Sequence, residues 1–243
     1  MNLNKLFQFV SPPGGSGDAN INVSFFDNEE LIIKEINKYN AVLGCSPWIT
    51  NNKIIKALAD LEFGTCIVTD KNSMNNYIKD YLDKFNSIKT LGFDISQLPN
   101  NSYFDGNEIP GKNTSSIRVF GKLKEGITPL LHYKFLILCI IDEDGKINPK
   151  SVITGSFNLS SNASNSRELL LTLKNPKIVR CFYYEWAKAF LLSENINSFS
   201  KEEINPEFLH ENSAQDIIDN IYNENQWLDA EELKSRGLGA FYD

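Results

Sequence analysis

Two short uncharged runs with an amphipathic segment between them set the architecture of this chain. Residues 41–45 (Ala-Val-Leu-Gly-Cys) and 65–69 (Thr-Cys-Ile-Val-Thr) carry no charge, as expected of strands covered on both faces. Between them Ile54, Ile55, Leu58 and Leu61 recur at helical spacing, with Thr50 or Asn51 placed as N-cap and Gly64 as the stop. Strand, helix and strand joined in this way predict a parallel or mixed sheet with helices on its faces. The alternation continues on both sides. Residues 22–26 read as a short strand, Asp27 as the cap of a helix through Leu31, Ile32, Ile36 and Tyr39, and 73–85 as a third helix. Residues 96–113 form a polar, turn-rich loop. Strands are expected at 116–122, 130–141, 151–157 and 168–173, and Pro176 opens a long helix to Leu192. The expected fold is α/β, a mixed β-sheet flanked by helices on both faces, with an acidic, mainly helical C-terminal extension.

Charge divides the chain. The net charge is −7, yet residues 194–233 hold eleven acids against one base, which leaves 21 bases and 19 acids in residues 1–193. The expected organisation is therefore a body at 1–193 and an acidic extension at 194–243. In the extension Ile217, Ile218, Ile221, Tyr222, Trp227 and Leu228 offer an apolar face for docking on the body or on a partner protein. Lys112, Arg118, Lys122 and Lys124 fall close together in the body. They read either as a solvated face or as a phosphate-facing, substrate-binding strip. No window approaches the roughly 18 apolar residues of a membrane span, and the apolar patch at 6–10 is too short and polar for a secretory signal. A cytoplasmic protein with no membrane partner is expected. The four cysteines lack CxxC spacing, and three sit in apolar runs as buried thiols. The glycine-rich segment at 12–17 lacks the GK[ST] ending of a nucleotide P-loop.

The chemistry concentrates between residues 132 and 168. His132 and Lys134 stand two apart on an apolar strand and so share a face. An imidazole and an ammonium side by side there are costly unless something anionic meets them. Ser156 and Asn158 are again two apart, and Gly155 permits close backbone approach. Glu168 opens the next apolar strand, where a carboxylate calls for a positive partner or a histidine N–H.

His132, Lys134, Gly155, Ser156, Asn158 and Glu168 resemble, in order and spacing, the HxKxxxxD…GSxN…E signature of the phospholipase D superfamily, in its nuclease-like branch. The resemblance spans residues 22–192. It departs at Cys139, where the signature has aspartate, and at Glu168, which comes one residue early. It implies that His132 Nε2 attacks a phosphodiester phosphorus to form a phosphohistidine, and that Glu168 accepts the Nδ1 proton. Lys134 and Asn158 would bind the non-bridging oxygens, and Ser156 would position the phosphate or the glutamate. Trp48 would lie beside the site, as core or as a base-stacking platform. No metal or other cofactor is called for. Sites in this family use two HxK motifs and this chain has one, so a homodimer sharing its site across a two-fold axis is expected. The implied function is that of a metal-independent phosphodiesterase, with a DNA endonuclease favoured. The alternatives are a catalytically weak nucleic-acid-binding subunit of a restriction or anti-phage defence system, and a phospholipid hydrolase.

Overall fold

Every strand of the computed structural model joins one mixed sheet. The described residues are 2–3, 15–17, 19–71, 78–99, 111–121, 131–199 and 205–208. Lys122, Lys124 and the segment 209–243, with its expected helices and apolar face, lie outside them. In chain order the strands are β1 (Gly15–Gly17), β2 (Ile21–Ser24), β3 (Ala41–Cys45), β4 (Gly64–Asp70), β5 (Ile117–Phe120), β6 (Phe135–Ile141), β7 (Ile147–Gly155), β8 (Leu170–Leu173) and β9 (Glu194–Asn195). The helices are α1 (Asn28–Ile36), α2 (Asn52–Ala59), α3 (Ile78–Phe85) and α4 (Pro176–Leu191).

The strands lie side by side in the order β1-β2-β8-β7-β6-β3-β4-β5-β9. β3, β4 and β5 run parallel, and every other pairing is antiparallel. The uncharged runs at β3 and β4 form the buried middle, as expected of strands covered on both faces. Alternate residues divide between two cores. Val42, Ile67, Leu136 and Leu138 pack with Ile32 and Ile36 of α1, Ile54 and Leu58 of α2, and Phe85 of α3. Leu43, Cys45, Cys66, Ile137 and Cys139 pack on the other face with Val179, Trp186 and Phe190 of α4.

Cap chemistry sets two helix starts. Asn51 Oδ1 accepts from the backbone N–H groups of Lys53 at 2.9 Å and Ile54 at 3.2 Å. Asn175 does the same for α4, with Pro176 at the first helical position. Asp27 departs from expectation. It holds the N-cap position of α1 but makes no side-chain cap bond, and its φ is +48°. The ends of the expected loop at 96–113 are ordered: Asp94 bridges to Lys112, and buried Asn113 donates to the Leu91 carbonyl at 2.8 Å.

The body continues past the boundary that charge suggested at 193. Ser193 and Glu194 are buried, β9 pairs with β5, and the compact unit runs to Phe208. The acids that begin the extension are drawn in by buried bases. Lys71 pairs with Glu194, both inaccessible to solvent, and Arg118 pairs with Glu207 at 2.6 Å. Cys45, Cys66 and Cys139 are buried free thiols, while Cys181 is exposed on α4. Among the described residues no helix is long and apolar enough to cross a membrane.

Candidate active site

The antiparallel pairing of β6 with β3 begins at Phe135 opposite Cys45. His132 and Lys134 therefore project just beyond the ladder, at the edge where β3 and β7 end and β8 begins. Lys134 Nζ stands 3.0 Å from His132 Nε2 and donates to the His132 carbonyl at 3.1 Å. A protonated lysine can only donate, so in this arrangement Nε2 offers its lone pair and Nδ1 carries the proton. Burial lowers the Lys134 pKa, and the Glu168 carboxylate works against that shift.

Gly155 ends β7 with φ +148°, and a Cβ there would stand 2.1 Å from the Leu169 carbonyl oxygen. Only glycine lets the two chains approach so closely. The contact seats Ser156, whose N–H donates to the Leu169 carbonyl at 3.0 Å and whose Oγ accepts from Leu169 N–H at 2.9 Å. The Ser156 hydroxyl in turn donates to Glu168 Oε2. Glu168 lies two residues before β8, and its carbonyl accepts from Asn28 Nδ2 at 2.8 Å. Asn158 is half-buried, and its Oδ1 has no hydrogen-bond partner.

Trp48 arrives through the docking of the segment after Asn158 on the start of α2. The Leu159 carbonyl accepts from Thr50 N–H at 2.7 Å and Asn51 N–H at 3.0 Å. This brings the Trp48 ring edge-on to His132, with centroids 6.0 Å apart. Thr154 Oγ1 donates to the Lys134 carbonyl at 3.0 Å, and Leu131 N–H donates to the carboxylate of buried Asp70 at 2.8 Å. The backbone on both sides of the His-Lys pair is therefore held.

The structure thus gathers His132 with Lys134 and Trp48, and Ser156 with Glu168 and Asn28. Within one chain the Glu168 carboxylate takes its hydrogen bond from Ser156, and among the described residues no acceptor meets His132 Nδ1. Two expected substrate-binding residues stand elsewhere. β3 and β4 separate β5 from β6, about 14 Å at ~4.8 Å per strand. Arg118, on β5, has no accessible surface. It lies between the Phe190 and Phe208 rings and is spent on Ser193 and Glu207, so it is a structural cation rather than a phosphate contact. Lys112 is exposed, but on the bridge to Asp94, beside a segment that packs near Phe208. Cys139, at the position of the signature aspartate, is fully buried on the α4 face at a bulge in the β6–β7 pairing. A carboxylate among those apolar side chains would lack compensation, and a thiol packs there as a small hydrophobe. Asn28 and Asp70 were not legible as part of the site, because their roles depend on contacts with residues far away in sequence.

No family model matches the chain. It is 28% identical over 216 residues, 81% of its length and 74% of the relative's, to an uncharacterized protein, L381, of Acanthamoeba polyphaga mimivirus. Among solved structures it is similar to Nuc of Salmonella typhimurium, a phospholipase D family member, at TM-score 0.44 and 17% identity over 75% of this chain and 97% of that one. It is similar to NucT of Helicobacter pylori at TM-score 0.44 and 16% identity, over 70% and 97% of the two chains. Phosphatidylserine synthase of Haemophilus influenzae Rd KW20 overlaps at TM-score 0.43 and 10% identity, covering 85% of this chain and 46% of that one. Overlaps of this size do not transfer an activity, which has to rest on the site's own residues.

Proposed function

We propose that this chain is a phosphodiesterase of the phospholipase D type that cleaves nucleic acid, DNA foremost, through a phosphohistidine on His132. The observation that carries the reading is the 3.0 Å approach of the Lys134 ammonium to His132 Nε2 at the sheet edge, one strand connection from the Ser156–Glu168 pair. An incoming phosphate takes over the lysine's hydrogen bonds and uncovers the Nε2 lone pair. Nε2 then forms a bond to phosphorus as the P–O bond to the leaving group breaks. Lys134 and Asn158 meet the charge that grows on the non-bridging oxygens. Water attacks the phosphohistidine in a second displacement, giving its proton to the imidazole that protonated the leaving group in the first, as the N–P bond breaks, the phosphate product leaves and the nucleophilic imidazole is restored.

Two needs remain within one chain, and a second copy meets both. The leaving oxygen requires a proton, which a second His132 supplies as general acid. The Nδ1–H requires an acceptor, and a second copy of Glu168 brought across a two-fold axis provides a carboxylate. The reading therefore includes a homodimer with a shared site.

The experiment is incubation of the protein with plasmid, single-stranded DNA and RNA in EDTA, wild type beside His132→Ala. The expected outcome is cleavage by wild type alone, with a phospho-enzyme trapped on acid quench. Binding that survives His132→Ala without any cleavage would instead mark a nucleic-acid-binding subunit, and headgroup release from phospholipid vesicles with DNA untouched would mark a lipid hydrolase. A fully active monomer by light scattering would overturn the shared site.

A further inference from the structure

Asn28 is the first residue of α1, is 5% exposed, and touches the site from outside the motif. Its Nδ2 donates to the Glu168 carbonyl at 2.8 Å, and its Oδ1 is buried with no donor among the described residues. The hydrogen bond fixes which end of the amide faces Glu168, because the flipped amide would set oxygen against oxygen. Packing alone does not account for the residue. An apolar side chain in this place would avoid the cost of an unpaired buried oxygen. Helix capping does not account for it either, since the cap position belongs to Asp27, which holds a left-handed φ of +48° without using its side chain as a cap. For a non-glycine residue that conformation is itself unfavourable. The left-handed backbone of Asp27 thus immediately precedes Asn28, whose amide has an unpaired oxygen among the described residues and grips the main chain of Glu168.

Glu168 needs such a grip. It precedes the first ladder residue of β8, and its peptide is held on the N–H side, where Leu169 donates to Ser156 Oγ at 2.9 Å, and on the carbonyl side only by Asn28 among the described residues. Ser156 holds the carboxylate, and Asn28 holds the carbonyl. We infer that Asn28 is a positioning residue for Glu168, fixing the backbone from which the carboxylate reaches Ser156. The inference rests on the phosphodiesterase reading above for its catalytic consequence, but not for its geometry.

The test compares full-length wild type, Asn28→Ala and Asn28→Asp. In Asn28→Ala, kcat is expected to fall about tenfold, the effect of losing one hydrogen bond's worth of placement, with KM within about twofold. In Asn28→Asp the introduced carboxyl can donate to the Glu168 carbonyl only when protonated. Its activity relative to wild type should therefore rise as pH falls, while the relative activity of Asn28→Ala stays flat. Lys134, titrated by NMR in Asn28→Ala at neutral pH and above, should lose protons at lower pH than in wild type as the Glu168 charge moves away. Circular dichroism reports the folded fraction alongside. A kcat loss that only tracks folded fraction, the absence of low-pH recovery in Asn28→Asp, or an unmoved Lys134 titration would overturn the role. If wild type cleaves nothing, the phosphodiesterase reading fails, and the Lys134 titration still decides the inference. If Asn28→Ala does not fold, Asn28→Asp compared at two pH values decides it.

Discussion

Replacing Glu207 with alanine takes the carboxylate away from a guanidinium that water does not reach. Arg118 Nη2 lies 2.6 Å from Glu207 Oε2 and 3.1 Å from the Ser193 carbonyl, and its Nε donates to Ser193 Oγ at 2.7 Å. Its Nη1 already lacks a partner. Removing one member of a buried pair costs about 3–5 kcal/mol. The Glu207 side chain is 35% exposed, and solvent screening brings the expected loss down to about 2–3 kcal/mol. In a body that extends to Phe208, each kcal/mol lowers the melting temperature by roughly 2–4 °C, so Glu207→Ala should melt about 4–12 °C below wild type. Arg118→Met puts an apolar chain between the Phe190 and Phe208 rings and leaves Glu207 free to face water, at a cost of about 1–2 kcal/mol. Once the guanidinium is gone, adding Glu207→Ala should cost almost nothing. Thermal and urea denaturation of the two single variants and the double variant give the cycle. A Glu207→Ala protein that melts with wild type, or two strictly additive substitutions, would refute the buried-pair argument. The same proteins test the assignment of Arg118 on the functional side. A phosphate-contacting arginine would lower the salt slope of DNA binding by about one, whereas Arg118→Met should leave that slope where it is.

The position of the body's end changes where the chain can be cut. Truncation after Ser193 strands Lys71 and Arg118 without Glu194 and Glu207 and should yield a destabilised protein. Truncation after Phe208 retains both pairs and should melt above the Ser193 truncation. Residues 209–243 hold eight acids and two bases, so their removal should raise DNA affinity at moderate salt, with a gain that shrinks as salt rises. Glu29 contributes to acid sensitivity: burial pushes its pKa up, but hydrogen bonds from Lys53, Ser164 and Asn51 outweigh burial and leave it below the ordinary value. A carboxyl with a depressed folded-state pKa contributes stability above its unfolded pKa and loses it as pH falls toward the folded one. Urea midpoints should therefore drop below about pH 5 in wild type and less steeply in Glu29→Gln. Glu168→Gln removes the charge that raises the Lys134 pKa against burial, so DNA binding measured by anisotropy should fade at a lower alkaline pH than in wild type.

The parts of the fold legible in the sequence are those written locally. Asn51 could be read as one of two candidate caps, with Thr50, because a cap bonds residues two and three positions on. β3 and β4 could be read because strands covered on both faces carry no charge. His132 and Lys134 stand together in the segment that enters β6, and Ser156 meets Glu168 through the Gly155 approach, because both contacts are made within or beside a few residues of chain. Arg118 misled because its neighbours in sequence are lysines, while its partner Glu207 lies 89 residues away. One signal was present: a single charge inside Ile117-Arg118-Val119-Phe120, in a sheet covered on both faces, has to be buried and paired. Asp27 misled because its type suits a cap, yet its left-handed backbone points the chain elsewhere. Asn28 and Asp70 left no mark in the sequence, since each acts on one backbone atom of a distant segment.

The division of the cysteines gives the protein an internal clock. Burial pushes the Cys66 thiol up to about 12 and raises Cys45 and Cys139 as well, so all three stay protonated and shielded from reagent while the sheet is intact. Cys181, on the outer side of α4, is open to solvent. A chromogenic disulfide at pH 8 should therefore react in two phases, with one thiol at the rate of an accessible cysteine and three at the rate at which the sheet opens. Cys45, Cys66 and Cys139 sit on β3, β4 and β6, three neighbouring strands in the interior of the sheet. The slow phase thus times the separation of these interior strands without any engineered label, and substitutions at the rim can be sorted by whether they quicken it.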